Sequence, residues 1–200
     1  MSPSDSLSVL QDSLRDSPII WKGDYPYFIH PISDGIPRMD ADVLRATRDL
    51  IVEMVDWSNI DLIVSVEAMG LPLLAAVGDA TGKPTVVIRK RQYGMEGEVR
   101  VDVSTGDSQS TTYINDIKQG ERILIVDDVI STGGTLETIL ATLEEMGVML
   151  QDSVIAIEKG DGRERLAKER PGWPIKTLAR IDIIDGRVEI LELSHGHGAT

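Results

Sequence analysis

The sequence predicts an α/β fold, a central mostly parallel sheet flanked by helices, and three observations carry that prediction. Short apolar runs alternate with amphipathic segments, the order is strand, helix, strand along most of the chain, and no internal repeat, low-complexity tract or long linker breaks it. In such a sheet ligands bind beyond the carboxyl ends of the strands, so strand-to-helix turns are where chemistry is expected.

The elements follow in order. Residues 42–56 place Val43, Leu44, Thr47, Leu50, Ile51, Met54 and Val55 on one face at helical spacing, which predicts an amphipathic helix. Leu62-Ile63-Val64-Ser65-Val66 is a short apolar run suited to a buried parallel strand. A helix from Leu71 to Ala80 ends at Thr81-Gly82-Lys83-Pro84, before a strand over Thr85–Ile88. Arg89 to Gln119 reads as a polar stretch. Ile123–Val126 gives the third buried strand, and Leu136, Ile139, Leu140, Leu143 and Met146 mark the helix after it, with Gly147 as its C-terminal cap. A strand over Val154–Ile157, a charged helix near Arg163–Glu169 and late β segments around Leu178–Ile184 and Val188–Leu193 complete the pattern. Nothing marks a second domain, so one domain is expected over residues 1–200, with a polar tail from Ser194 to Thr200.

Composition narrows the function. Acidic residues outnumber basic ones by 33 to 20, a net charge of −13, which argues against a nucleic-acid partner because phosphate backbones select basic surfaces. No run approaches the roughly 20 apolar residues that span a bilayer, and Met1-Ser2-Pro3-Ser4-Asp5 is unlike a signal peptide. A cytoplasmic protein with no membrane partner is expected. Without cysteine, disulfides, thiolate metal sites and thiol nucleophiles are excluded. Arg (13) exceeds Lys (7) and Asp (20) exceeds Glu (13), a balance similar to that of proteins from salt-loving archaea, although an acidic surface also serves solubility.

The informative turn is Ile123-Leu124-Ile125-Val126-Asp127-Asp128-Val129-Ile130-Ser131-Thr132-Gly133-Gly134-Thr135. Small residues from Ser131 to Thr135 let successive N–H groups converge at a helix N-terminus, where the helix dipole also favours an anion. Ser131, Thr132 and Thr135 add hydroxyl donors, and Asp127 and Asp128 can accept from sugar hydroxyls. Two carboxylates at the exit of a buried strand are costly to desolvate, so they are expected to face a ligand or solvent. Phosphate and diol recognition side by side point to a ribose phosphate. Neither a Gly-x-x-x-x-Gly-Lys P-loop nor a Gly-x-Gly-x-x-Gly fingerprint follows a predicted strand, which removes the main support for nucleotide-hydrolysing and dehydrogenase readings.

This thirteen-residue pattern closely resembles the motif that binds phosphoribosyl pyrophosphate, PRPP, in type I phosphoribosyltransferases. Apart from the tail, the chain resembles the archaeal hypoxanthine/guanine phosphoribosyltransferase-like group, itself near the adenine enzymes in pattern, through Tyr25-Pro26-Tyr27-Phe28-Ile29-His30-Pro31-Ile32-Ser33-Asp34-Gly35-Ile36-Pro37 and the loop from Glu67 to Pro72. The resemblance implies the type I phosphoribosyltransferase fold, with a small N-terminal hood drawn partly from residues 18–38. It implies an enzyme that transfers ribose 5-phosphate from PRPP to a purine base, with Asp127 and Asp128 on the ribose diol and Ser131, Thr132, Gly133, Gly134 and Thr135 on the 5′-phosphate. Glu67, Ala68, Met69 and Gly70 are carried over as the pyrophosphate loop, with Met69 contributing only backbone. Arg89, Lys90 and Arg91, three adjacent cations in an acidic chain, are assigned to pyrophosphate, ahead of a mobile segment containing Gly94 and Gly97. Phe28, Ile29 and His30 are assigned to the base, Phe28 either stacking on a purine or packing in the core.

The family also implies Mg²⁺ bound mainly through PRPP, with no protein metal site, and a homodimer. Ser131 stands where bacterial and animal hypoxanthine/guanine enzymes carry an Asp, and Ser108-Gln109-Ser110-Thr111-Thr112-Tyr113 replaces the Tyr-Glu segment of adenine enzymes, so hypoxanthine/guanine and adenine both remain open and xanthine is not excluded. The alternative is a regulator that keeps this fold and senses PRPP or a nucleotide without turnover.

Overall fold

The computed structural model describes residues 2–105 and 108–194. It opens with a helix the apolar pattern does not announce, α1 (Pro3–Arg15). Ser2 and Asp5 form its capping box, each side chain accepting from the other's N–H, and Pro3 occupies the first turn. Leu10 and Leu14 are fully buried. An antiparallel hairpin, β1 (Ile19–Lys22) with β2 (Tyr25–Phe28), and the single-turn helix α2 (Pro31–Asp34) then occupy the segment expected to form the hood.

Asp40 caps α3 (Ala41–Met54), its carboxylate accepting from the N–H groups of Asp42 and Val43. Val43, Ala46, Thr47, Leu50, Ile51 and Met54 are its buried stripe, while Leu44 is half-buried and Val55 lies past the helix end. Strand β3 (Leu62–Val66) leads into α4 (Gly70–Thr81), ended by Gly82 at φ 67°, and into β4 (Thr85–Ile88). Within 89–119, which the sequence marks only as a polar stretch, β5 (Val99–Thr105) pairs antiparallel with β6 (Ser108–Ile114). The hairpin has one apolar face of period two: Val101 and Val103 are buried, whereas Arg100 and Asp102 are exposed.

The rest follows the predicted order with longer strands: β7 (Arg122–Ile130), α5 (Gly134–Glu145), β8 (Met149–Lys159), α6 (Gly162–Glu169), β9 (Ile175–Ile184) and β10 (Arg187–Leu193). Apolar runs mark only the fully buried middles of strands. Pairing continues beyond them, Asp127 opposite Ile155 and Val129 opposite Ile157. The six strands lie in the order β10-β9-β8-β7-β3-β4, all parallel except β10, which is antiparallel to β9.

Alternation along the strands builds two cores. Ile63, Leu124, Val126 and Val154 join the residues of α1, α3 and α4 on one face. Val64, Ile123, Ile125 and Ile155 join Ile139 and Leu140 of α5, Leu166 of α6 and the β5–β6 hairpin on the other. Each such side chain contributes about 1.5–3 kcal/mol on full burial, so both faces fix the strand register and with it the positions of the strand ends. Among the described residues no helix is long and apolar enough to cross a membrane.

Candidate functional site

Because β3, β4, β7 and β8 run parallel, their carboxyl ends share one edge of the sheet. That edge brings together Glu67–Gly70, Arg89–Arg91, Asp127–Thr135 and Lys159–Gly162.

The turn after β7 is shaped by Gly133. Its φ of 80° is left-handed, and a β-carbon there would lie 3.0 Å from Leu166 Cδ1 and 3.3 Å from the Gly162 carbonyl. Helix α5 starts at once, and no side chain caps it. Its first N–H groups are therefore open to a ligand. A cavity of about 390 Å³ is lined by Asp127 and by all five residues from Ser131 to Thr135.

The two acids sit in the second half of β7 rather than in the turn. Asp127 Oδ1 accepts from the Asp128 N–H at 3.0 Å. A β-carbon on Gly70 would stand 2.0 Å from Ser65 Oγ and 2.6 Å from Asp127 Oδ1, so the loop after β3 packs directly against this carboxylate and requires glycine. Burial, with the neighbouring Asp128 charge second, holds the Asp127 carboxyl well above the usual carboxylate range. Burial also raises Asp128, and the charge of Asp34 on α2 adds to it. Asp127 borders both this cavity and the next, and Asp128 borders the second alone.

The second cleft, about 470 Å³, lies between the β3 and β7 turns and is bordered by Glu67, Ala68, Met69, Lys90, Asp127 and Asp128. The peptide between Glu67 and Ala68 is cis. Gly70 is buried beneath the loop, and Met69, expected to offer backbone only, also packs its side chain near Gly35 after α2. The expectation of three convergent cations is corrected. Only Lys90 lines the cleft; Arg89 pairs with Glu67 at 3.2 Å, and Arg91 lies over the Tyr93 ring at 5.7 Å. Pairing with an adjacent acid and stacking on an adjacent ring divert two of the charges. Two polar lining residues carry no ligand contact in the sequence expectations, where they belong only to the segment Ser108–Tyr113: Ser110 and Thr112 of β6, the latter buried with no partner for its hydroxyl among the described residues. Their alternation within Ser110-Thr111-Thr112 was the available signal.

The expected base residues are also corrected. Phe28 is 9% exposed and belongs to the core under α1 and α3. His30 is fully buried and caps α2: its Nδ1 accepts from the Ile32 N–H at 3.2 Å, while its Nε2 lies 3.0 Å from Ser13 Oγ. Burial lowers its pKa to about 4, so the ring is neutral. Ile29 is half-buried, its N–H donating to the Pro18 carbonyl at 2.8 Å. What the hairpin presents instead is Tyr25. With Lys159, Asp182 and Ile183 it borders a pocket of about 310 Å³ that shares Ser131 and Thr132 with the phosphate cavity. Lys159 Nζ donates to Tyr25 Oη at 2.7 Å and to the Pro26 carbonyl at 3.2 Å. Lys159 ends β8, two positions after its last apolar residue, Ile157, the place where parallel strands deliver ligand contacts.

A family model described as "Phosphoribosyl transferase domain" matches residues 36–173. A hypoxanthine/guanine phosphoribosyltransferase of Methanohalophilus mahii is 47% identical over 186 residues, covering 93% of this chain and 96% of the relative. The protein of the same description from Methanotorris igneus is 45% identical over 183 residues, covering 92% and 100%. Among solved structures, the adenine phosphoribosyltransferase of Rhodothermus marinus superposes with a TM-score of 0.71 at 23% identity, covering 88% of this chain and 99% of the other. That of Leishmania tarentolae gives 0.72 at 18% identity, covering 90% and 89%.

Proposed function

This chain belongs to the phosphoribosyl transferase domain family, and on that premise we propose that it is a purine phosphoribosyltransferase moving ribose 5-phosphate from PRPP to an oxopurine, with release of pyrophosphate. The observation that carries the reading is the order of three subsites along one sheet edge: the Glu67–Lys90 cleft, the Asp127–Thr135 turn and the Tyr25–Lys159 pocket. They match the pyrophosphate, ribose 5-phosphate and base of the reaction.

The residues act mainly by position and field. N–H groups and hydroxyls of Ser131–Thr135 hold the 5′-phosphate, and Asp128, facing the cleft, accepts from the ribose hydroxyls. As the bond to pyrophosphate breaks, positive charge grows on the ribose, and the paired carboxylates favour it. Lys90 and the backbone N–H groups of Ala68, Met69 and Gly70 receive the leaving pyrophosphate, and the base nitrogen attacks from the opposite face. Mg²⁺ is part of the proposal: bound to PRPP, it neutralises pyrophosphate charge. Two carboxyls held above their usual range favour a cation beside them, which an ion carried by the substrate would supply.

Lys159 supports an oxopurine. Two of its three ammonium donors are engaged by Tyr25 and Pro26, and the third suits the carbonyl oxygen at position 6 of hypoxanthine or guanine; adenine carries an amino donor there. Asp182, on the same pocket, suits the ring N–H and the guanine amino group. The relatives at 45–47% identity carry the hypoxanthine/guanine name, whereas the likeness to adenine enzymes, at 18–23%, concerns the fold. A PRPP- or nucleotide-sensing regulator gains no support from relatives named as enzymes over nine-tenths of the chain. A homodimer working in the cytoplasm completes the proposal, on the family resemblance alone. The test is nucleotide formation from PRPP with hypoxanthine, guanine or adenine in wild type and Lys159→Met. Loss of about tenfold or more with the oxopurines only is expected; equal use of adenine by the wild type contradicts the assignment.

A further inference from the structure

We propose that α6 is a positioning device for the phosphate turn, with Gly162 and Arg165 as positioning residues that aim two backbone N–H groups at the 5′-phosphate. Two consecutive carbonyls of the turn are anchored on this helix. The Gly162 N–H donates to the Ser131 carbonyl at 2.8 Å. The Arg165 guanidinium donates from Nε and Nη2 to the Thr132 carbonyl at 3.3 and 3.1 Å. A trans peptide is planar, with its N–H pointing opposite to its carbonyl. Holding the Ser131 and Thr132 carbonyls against α6 therefore turns the N–H groups of Thr132 and Gly133 away from it. Among the described residues neither N–H meets a protein acceptor, and both residues line the phosphate cavity.

Close packing makes the arrangement stiff. A β-carbon on Gly162 would lie 2.3 Å from the Ser131 carbonyl oxygen and 2.6 Å from Gly133 N, so a larger residue displaces the turn. Leu166, one turn further along α6 and fully buried, fills the space beside Gly133. Arg165 is fixed in turn by Glu137 of α5 at 2.9 Å and Glu169 at 2.5 Å, so one guanidinium ties α6 to the turn and to the start of the helix that follows it. A planar fork of five donors suits that task, and a point charge does not. Neither Gly162 nor Arg165 borders the phosphate cavity, so their effect passes through the backbone of the turn. Donors fixed before the ligand arrives bind an anion without the cost of ordering them.

The inference rests on the Ser131–Thr135 turn being the 5′-phosphate site, and the test separates the two. Wild type, Arg165→Ala, Arg165→Lys and Gly162→Ala are titrated calorimetrically with ribose 5-phosphate and, separately, with pyrophosphate and Mg²⁺, and KM and kcat for PRPP are measured. Arg165→Ala is expected to weaken ribose 5-phosphate about tenfold, leave pyrophosphate within about twofold, and raise KM more than it lowers kcat. Arg165→Lys recovers part of the loss, and it retains the test if removing the whole side chain unfolds α6. Gly162→Ala weakens ribose 5-phosphate further. Unchanged ribose 5-phosphate affinity in Arg165→Ala, or equal weakening of both ligands, overturns the positioning role. A wild-type chain that binds pyrophosphate but not ribose 5-phosphate overturns the reading of the turn itself.

Discussion

Arg89 and Glu67 face each other at the ends of adjacent parallel strands, Nε 3.2 Å from Oε2, and the same Glu67 oxygen accepts from the Lys90 N–H at 2.9 Å. This contact locks the turns after β3 and β4 together and directs the Lys90 side chain, rather than that of Arg89, to the cleft.

Lys90→Ala is therefore expected to raise KM for PRPP and the Kd for pyrophosphate about tenfold, as loss of a charge-assisted contact does. Arg91→Ala, removing a cation stacked on Tyr93, is expected to change both less than about twofold. Steady-state kinetics and pyrophosphate titration of the two variants decide it; equal effects count against the division of roles.

Asp128→Asn keeps the shape of a cleft-facing side chain and removes its charge. A fall in kcat/KM on the order of 100-fold is expected, with an unchanged circular dichroism spectrum. Near-normal turnover would falsify the diol role.

Asp127 carries a testable conflict between stability and activity. Its carboxyl is raised in the folded chain by burial and by Asp128. A carboxyl so raised supports the fold fully below its unfolded pKa of about 3.9, and that support is lost as pH rises through the folded value. At pH 8 the unfolded chain carries this carboxyl ionised, and folding must either bury that charge or take up a proton, so Asp127→Asn is expected to raise the melting temperature of the ligand-free protein by a few degrees, about what 1 kcal/mol gives in a chain of this size, while activity falls. Melting curves of both proteins at pH 8 test this, and a lower midpoint in the variant contradicts it.

His30 works in the opposite direction. Its Nδ1 faces the Ile32 N–H, so protonation would set two hydrogens against each other in a buried site, with Asp34 the nearby charge that partly favours the cation. A histidine whose pKa is lowered on folding contributes stability above its unfolded value of about 6.5, lost as pH falls toward the folded value. Melting temperature is expected to drop between pH 6.5 and about 4, and His30→Gln is expected to flatten that slope. An identical slope in the variant rules out His30 as its source.

Much of the site was legible in the sequence because it obeys backbone rules. Gly133 and Gly70 mark turns whose close approaches exclude a β-carbon, and Asp127 and Asp128 follow directly on the unbroken apolar run Ile123–Val126. The sheet was legible for the same reason, since runs such as Leu62–Val66 are buried throughout. What escaped depended on partners distant in the chain. Arg89 looked free until Glu67 was brought beside it, Phe28 and His30 looked available until α1 and α3 covered them, and Lys159 acquires its role only because Tyr25, 134 residues earlier, lies 2.7 Å away. The β5–β6 hairpin was hidden by its polar outer face, although Val101 and Val103 alternate on the inner one.

The most direct measurement is pyrophosphate release on mixing the protein with PRPP, Mg²⁺ and, one at a time, hypoxanthine, guanine, xanthine, adenine and orotate, at low and high salt. Release with hypoxanthine or guanine, and none with orotate, is the predicted result. No release with any of the five bases at either salt concentration would contradict a transferase and leave a protein that only binds PRPP.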